Sequence, residues 1–122
     1  MKHVHIGESL SAIEQYTFGN CTELTSVTWN NTSKLKYIFD DAFYNCVKLP
    51  HIDIPSGTIQ IDEDAFRNCH ELSSITIPRS VQYIGGTALY AMISVVFHDR
   101  TMSEVEQMDG YPWGAQGCIY VD

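Results

Sequence analysis

The sequence predicts an α/β fold in which short repeats stack into one array and share a continuous core. Alternating apolar runs recur along the chain, and their first residues, at positions 4, 27, 52, 75 and 95, are 23, 25, 23 and 20 residues apart. A phenylalanine or leucine precedes each later run at a nearly constant distance, and in three repeats a cysteine follows it. A unit this short cannot bury its apolar side alone, so the repeats must stack on one another.

The alternating runs are predicted to be β-strands, one per repeat. Apolar and polar residues alternate with period two, which is typical of a half-buried strand. Stacked strands form a parallel sheet with neighbours roughly 4.8 Å apart. Pro55 and Pro78 follow their runs directly and should end them, because proline cannot donate to the hydrogen-bond ladder. The predicted strands cover residues 4–6, 27–29, 52–54, 75–77 and 95–97.

Five columns of equivalent residues are predicted to point into the core. Between them, the segments with Ala65, Phe66, Asn68 and Cys69 as pattern are predicted to cross back as a turn of α- or 3₁₀-helix. The columns are Ile13/Ile38/Ile61/Ile84, Phe18/Phe43/Phe66/Leu89, Cys21/Cys46/Cys69, Leu24/Leu49/Leu72/Met92 and Leu10/Leu35/Thr58/Val81, with Thr58 the misfit.

The repeated cysteines are predicted to pack as a ladder of buried thiols. A free cysteine behaves as a small buried hydrophobe, and three of the four hold one repeat position. A disulfide between repeats would need a specific geometry. No CxxC or Cys/His cluster indicates a metal site. Cys118 stands outside the column and is predicted to be another buried thiol.

Residues 98–122 depart from the repeat pattern and are predicted to cap the array of residues 1–97 within the same domain. Thr101 and Glu104 have capping-box spacing, and Met102, Val105 and Met108 form the apolar stripe of a helix of two to three turns. Asp109-Gly110 should end that helix. An aromatic turn at residues 111–114 and a strand at 118–121 complete the predicted cap.

The best-preserved repeat, residues 61–84, resembles the BspA-like class of leucine-rich repeats. That class has the pattern IGxxAFxxCxxLxxIxIPxxVxxI, and Asp62 stands at the position of its glycine. The resemblance covers residues 3–97, with Gly7 in place of a proline and no cysteine in the last repeat. It implies a right-handed leucine-rich repeat solenoid of about four and a half units with a parallel sheet on its concave face. It also implies a bacterial surface or secreted binding protein, although such repeats occur in some eukaryotes and phages.

The composition excludes several classes of partner. The formal net charge is −8, and the seven basic residues are scattered, which argues against nucleic acid and against docking on an anionic membrane. No apolar run approaches the roughly 18 residues of a membrane-spanning helix, so membrane insertion is not expected. No motif for a cofactor is present.

The candidate binding residues are the outward side chains of the predicted strands. They are small or polar, which predicts a wet, shallow concave face suited to a protein partner. His51, Asp53 and Ser74 or Thr76 suggest a catalytic triad, but a flat sheet offers no oxyanion hole, so no enzyme activity is expected. The candidate residues are His3, His5, Ser26, Thr28, His51, Asp53, Ser74 and Thr76.

A metal site of His3, His5 and Asp53 is not expected, because strands two apart lie roughly 10 Å from each other. The acidic turns at residues 40–41 and 62–64 are predicted to form a solvated ridge that favours a basic partner, with calcium the less favoured interpretation.

The function predicted from these features is noncatalytic protein binding, as an adhesion or surface-interaction module at the cell surface or secreted. The alternative is a structural spacer or tip module of a larger bacterial surface or phage virion protein. The sequence does not indicate an oligomeric state.

Overall fold

The computed structural model describes residues 2–7, 9–30 and 33–121, and it is a parallel β-solenoid with a single short helix in that part of the chain. Met1 and Asp122, at the ends of the predicted array and cap, and residues 31–32 of the polar insertion lie outside the described residues. The elements are β1 His3–Ile6, β2 Ala12–Ile13, β3 Ser26–Trp29, β4 Tyr37–Ile38, β5 Gln60–Ile61, β6 Ser74–Ile77, β7 Tyr83–Ile84, β8 Ser94–His98, α1 Met102–Glu106 and β9 Cys118–Val121.

Four of the five predicted strands are present, as β1, β3, β6 and β8. β1 pairs in parallel with β3, and β6 pairs in parallel with β8, in the register that the repeat alignment predicts. Val4 is thus opposite Val27, and Ile75 is opposite Val95. The stacking of repeats in parallel register is confirmed.

The fifth predicted strand, residues 52–54, is wrong: residues 51–55 form no strand, although Ile52 and Ile54 are buried as expected. At the equivalent positions of the preceding repeat, the N–H groups of Thr25 and Asn30 donate to the coil before. Pro50 and Pro55 occupy those two positions and have no N–H to donate. The sheet at this position is therefore divided into β1-β3 and β6-β8-β9.

A second parallel sheet, not foreseen from the sequence, runs β2-β4-β5-β7. Each of its strands has only two residues, of which the second is the buried isoleucine of the column Ile13/Ile38/Ile61/Ile84. A two-residue strand has too few residues to show period-two alternation, so the column identified the buried side chain without revealing the strand.

The crossing segments (residues 14–21, 39–46, 62–69 and 85–92) consist of tight turns, so the predicted turn of helix is wrong. Alternate N–H groups donate three residues back in the same coil, as Thr17 does to Glu14 at 3.2 Å. The N–H groups between them donate to the next coil, as Phe18 does to Ala42 at 2.8 Å. An α-helix uses its N–H groups within its own chain, so a segment that gives every second one to a neighbour cannot continue as a helix.

Left-handed residues recur at two positions of each crossing segment. Asp41 and Asp64 hold one position, with φ of 59° in both, and Asn45 and Asn68 hold the other, with φ of 63° and 61°. Asparagine and aspartate tolerate this region better than other residues with a Cβ atom. The recurring Asp and Asn of the repeat are therefore explained by backbone conformation.

The predicted phenylalanine column forms a stack inside the solenoid. The ring centroids of Phe18 and Phe43 are 5.3 Å apart, and those of Phe43 and Phe66 are also 5.3 Å apart, with the latter pair nearly parallel at 3°. Leu89 continues the buried column. Trp113 is fully buried beyond it and packs on Phe97 at 5.8 Å.

The fifth predicted column is partly wrong. Leu35 and Val81 are buried, but Leu10 is 43% exposed, because it belongs to the first coil and has no earlier coil to cover it. Thr58, the misfit of the column, is fully buried, and its hydroxyl donates to the carbonyl of Pro55 at 2.7 Å. That bond satisfies a polar group that would otherwise be costly to bury.

The cysteine column is confirmed as free, packed thiols. Cys46 and Cys69 are buried, and their Sγ atoms donate to the carbonyls of Phe18 and Phe43, at 3.1 and 3.2 Å. Burial raises the pKa of both thiols to about 12. Cys118 is half-buried rather than buried, because β9 lies at the edge of its sheet.

The last repeat keeps its crossing segment and loses the loop that follows. The N–H of Met92 donates to Leu89 as the N–H of Cys46 does to Phe43, so Met92 holds the cysteine position, not the leucine position assigned from the sequence. The left-handed Ala91, with φ of 66°, stands where Asn68 stands in the preceding repeat. The three missing residues come from the loop after this turn.

Residues 98–121 form a further coil on the end of the array. β9 pairs in parallel with β8, and Cys118 is opposite Val95, so the step between them is again 23 residues. The carbonyls of Trp113 and Gly114 accept from the N–H groups of Leu89 and Ala91. The aromatic turn thus takes the place of a crossing segment although its sequence differs.

The predicted capping box is confirmed: Glu104 N–H donates to the Thr101 side chain, and the Glu104 carboxylate accepts from the Thr101 N–H, both at 3.1 Å. The helix α1 has only five residues, so the prediction of two to three turns is wrong. Val105 alone of the predicted stripe is buried, and Met102 is exposed. The coil has to turn back early to place the aromatic turn over Leu89.

Candidate functional site

The candidate site is the polar face, defined as the outward side chains of β1, β3, residues 51–53 and β6. At its N-terminal side, two pairs of side chains bond across the β1-β3 ladder. His3 Nδ1 lies 2.7 Å from Ser26 Oγ, and His5 Nδ1 lies 2.8 Å from Thr28 Oγ1. These partners follow from the strand register, in which His3 is opposite Ser26 and His5 opposite Thr28.

His51 and Asp53 form the middle of the polar face. Their side chains project to the same side two residues apart, with His51 Nε2 2.9 Å from Asp53 Oδ1. The side chains are 72% and 82% exposed. This pair is therefore an exposed polar contact surrounded by water, in which charge interactions are weak.

Ser74 and Thr76 lie exposed on β6 at the C-terminal side of the polar face. The hydroxyl of Ser94, on β8, donates to Ser74 Oγ at 3.2 Å. Ser74 is thus bonded along the sheet to its other neighbour and not to His51. The predicted residues are brought together as separate pairs, without the relay of a nucleophile, a base and a carboxylate that acyl-transfer catalysis requires.

The sequence reasoning left β9 out of this face. Val96 is opposite Ile119 and His98 is opposite Val121, so these apolar side chains extend the face beyond Thr76. Ile119 is 48% exposed and Val121 39%. The signal was available, since the run at 118–121 begins 23 residues after Val95.

A family model for the BspA-type leucine-rich repeat region matches residues 1–111 of the chain in six copies. The chain belongs to the BspA-type leucine-rich repeat family. It is also similar to the crystal structure of a leucine-rich repeat protein from Bacteroides ovatus ATCC 8483, with 25% sequence identity and a TM-score of 0.78. That similarity covers 100% of this chain, which spans 30% of the length of the Bacteroides protein. No curated protein matches the sequence.

The last BspA-type repeat restores the family's glycine, at Gly85, and the structure shows why. A Cβ atom at Gly85 would lie 2.5 Å from the backbone nitrogen of Glu63. At Gly86 a Cβ atom would meet only the Glu63 carboxylate, at 3.8 Å. The coil ending at Leu89 therefore needs glycine at the first of these two positions.

The acidic turns of this BspA-type array are less free than the predicted solvated ridge. Glu63 accepts from the N–H groups of Gly86 and Thr87 at 2.8 and 3.1 Å, and from the Thr87 hydroxyl at 2.9 Å. Burial acts to raise the pKa of Glu63, but these hydrogen bonds lower it overall. Asp62 accepts from Gln60 at 2.6 Å, and Asp64 pairs with Arg67 at 3.3 Å. For Asp62, burial is the main cause that raises the pKa.

The second sheet of the BspA-type array presents a different, aromatic surface. Tyr37 and Tyr83 project outward from it, and the ring of Tyr37 stacks on Phe39 at 5.7 Å. Beside Phe39, a groove of about 280 Å³ is lined by Glu14, Gln15, Phe39, Asp40 and Asp62. The sequence analysis missed this surface because it did not identify the second sheet.

Within residues 2–7, 9–30 and 33–121, no group of three or more His, Cys, Asp or Glu side chains is arranged to hold a metal ion. Among these same residues, no helix has the length and apolar character to cross a membrane.

Proposed function

We propose that this BspA-type repeat chain is a noncatalytic protein-binding module that presents its polar face to a partner, as an adhesion or surface-interaction domain. Stacked repeats generally offer extended surfaces to other proteins. Members of this family are typically found on bacterial surfaces, which supports a location at the cell surface or outside the cell.

The observation that carries this proposal is the way the polar face is organised. His3, His5 and Ser74 bond to hydroxyls on the neighbouring strand, and His51 bonds to Asp53. These bonds hold exposed polar groups in defined positions, while the core is complete without them. Preorganised polar groups on a rigid sheet lose little conformational entropy when a partner binds.

The pairing of these side chains favours binding over catalysis. His51 and Asp53 are mostly exposed, and Ser74 bonds to Ser94. Catalysis depends on a water-excluded site with preorganised electrostatics, and an exposed pair on a flat sheet does not provide one. A broad esterase and peptidase panel should therefore show no turnover.

The experiment that tests the proposal compares two exposed ion pairs of equal length. The polar face carries His51 and Asp53 at 2.9 Å, and the loops after the cysteines carry Lys48 and Glu23, also at 2.9 Å. The double variant His51→Ala with Asp53→Ala should lose a partner that the wild-type protein captures from host extracellular-matrix and cell-surface extracts. The matched control, Glu23→Ala with Lys48→Ala, should retain it.

The second candidate function is a structural spacer or tip module in a larger surface or virion protein. The observation that favours it is that this chain spans 30% of the length of the similar Bacteroides protein, so an array of this kind occurs within a longer chain. If neither double variant changes the captured set of proteins, the spacer function is favoured over binding through the polar face.

A further inference from the structure

We propose that His3 and His5 form a two-histidine chelate for a divalent transition-metal ion, for which Zn²⁺ is the probe. The two residues lie two apart on β1 and point to the same side of the sheet, since side chains alternate along a strand. Both side chains are exposed. This inference does not depend on the proposed protein-binding function.

The first step of the argument is the state of the ring nitrogens. Nδ1 of each imidazole is held by a hydroxyl on β3, His3 by Ser26 at 2.7 Å and His5 by Thr28 at 2.8 Å. A hydroxyl accepts as readily as it donates, so each Nδ1 can carry the proton. Thr28 can turn its own proton toward the carbonyl of Val4, 3.5 Å away. Each Nε2 then has a free lone pair, the form in which imidazole binds a metal.

The second step is the likeness of these contacts to the surroundings of metal ligands. A histidine that ligates a metal almost always donates its other ring N–H to a fixed acceptor, which sets both the tautomer and the ring orientation. Ser26 and Thr28 supply that acceptor for both rings, and both rings lean toward the same neighbouring strand. The β1-β3 ladder therefore places two oriented imidazoles side by side.

The third step is reach. Residues two apart in a strand are separated by roughly 6.6–6.8 Å along the chain, and an ion binds imidazole nitrogen at about 2.0–2.1 Å. Two imidazole side chains can close that separation around one ion. Imidazole suits Zn²⁺, Cu²⁺ and Ni²⁺. Asp53, the third ligand considered from the sequence, is engaged with His51, so water would fill the remaining coordination positions.

The other histidines of the chain lack this arrangement. His51 has its Nε2 bonded to Asp53. His98 is exposed at the end of β8, opposite Val121, and has no histidine two residues away. His98 is therefore the matched control, as a single exposed histidine on a strand of the same solenoid.

The test is a titration of the folded 122-residue protein with Zn²⁺ alone, followed by calorimetry and by the ¹⁵N resonances of the imidazole rings. We expect one ion per chain and shifts at Nε2 of His3 and His5. His3→Ala or His5→Ala should abolish binding at this stoichiometry, whereas His98→Ala should leave it unchanged. Thr28→Val removes the acceptor for His5 Nδ1–H and should weaken binding roughly tenfold.

Three results would overturn the proposal. One is equal shifts at all five histidines, which indicates nonspecific binding. Another is full binding by the double variant His3→Ala with His5→Ala, which places the ion elsewhere. The third is no heat and no shift in the wild-type protein. All substituted side chains are exposed at β1, β3 or β8, and circular dichroism of each variant checks that the fold is retained.

Discussion

The crossing segments and the polar face belong to the same repeat but are held together differently. In the crossing segments, backbone N–H groups alternate between their own coil and the next, and Phe43 stacks between Phe18 and Phe66. On the polar face the backbone ladder is broken at residues 51–55, and exposed side chains pair instead. The comparison teaches that stability is concentrated in the crossing segments, which leaves the polar face free to vary with function.

The largest effect is expected for Phe66→Ala. Phe66 is 1% exposed and stacks on Phe43, so truncation leaves a cavity and should lower the free energy of unfolding by about 3–5 kcal/mol. Phe18→Ala is the comparison, because Phe18 is half-buried at the open end of the stack, and its loss should be smaller. Equilibrium denaturation measures both. A loss below about 1 kcal/mol for Phe66→Ala would contradict the role of the stack.

The next effect separates two adjacent glycines. Gly85→Ala forces a Cβ atom to within 2.5 Å of the backbone of Glu63, and should destabilise the protein by about 1–3 kcal/mol, as overpacking does. Gly86→Ala meets only the end of a flexible carboxylate and should change stability little. Thermal unfolding of the two variants side by side tests the close approach of the coils. Equal melting temperatures would show that the backbones can separate there without cost.

Asn68 tests the left-handed positions of the crossing segments. Its φ is 61°, so Asn68→Ala should cost about 1–2 kcal/mol, the penalty for a left-handed residue with an ordinary side chain. Asn68→Gly should cost much less, because glycine adopts positive φ freely. Chemical denaturation of this pair gives the difference. If alanine and glycine are equally tolerated, side-chain contacts rather than backbone conformation explain the recurring asparagine.

The buried thiols predict a loss of stability at alkaline pH. Burial raises the pKa of Cys69 from 9.0 to about 12, so the folded state retains a proton that the unfolded chain releases. The resulting stabilisation is complete below pH 9 and is lost as the pH rises from 9 toward 12. Between pH 8 and pH 10, the wild-type protein should lose about 1 kcal/mol more stability than Cys69→Ala. Parallel pH profiles for the two proteins would contradict this prediction.

The sequence predicted the parts of the fold that recur as side-chain types. The stacked coils, the phenylalanine and cysteine columns and the capping box of α1 are all in place. It failed where hydrogen bonds between coils decide the structure. The turn ladder depends on N–H groups shared with a neighbour, and the strand at residues 52–54 is lost because two prolines remove such groups. Neither effect is visible within one repeat.

The candidate site was predictable to the same extent. Alternation placed His3, His5 and the other candidate residues outward, and the register gave their cross-strand partners. The addition of β9 was missed because the C-terminal coil keeps the 23-residue step without the repeat's residues. Position in the stack, set by the backbone, thus persisted after the sequence pattern had been lost.

The smallest effect on stability is expected where the proposed function is concentrated. His51→Ala with Asp53→Ala removes an exposed pair at 2.9 Å, and should change the free energy of unfolding by less than about 0.5 kcal/mol, as for other surface ion pairs. The control pair Glu23→Ala with Lys48→Ala should behave alike, since its side chains are 57% and 56% exposed. Urea denaturation of both double variants measures this. A loss above about 1 kcal/mol for His51 and Asp53 alone would mean that the polar face also supports the fold at the point where its backbone ladder is interrupted.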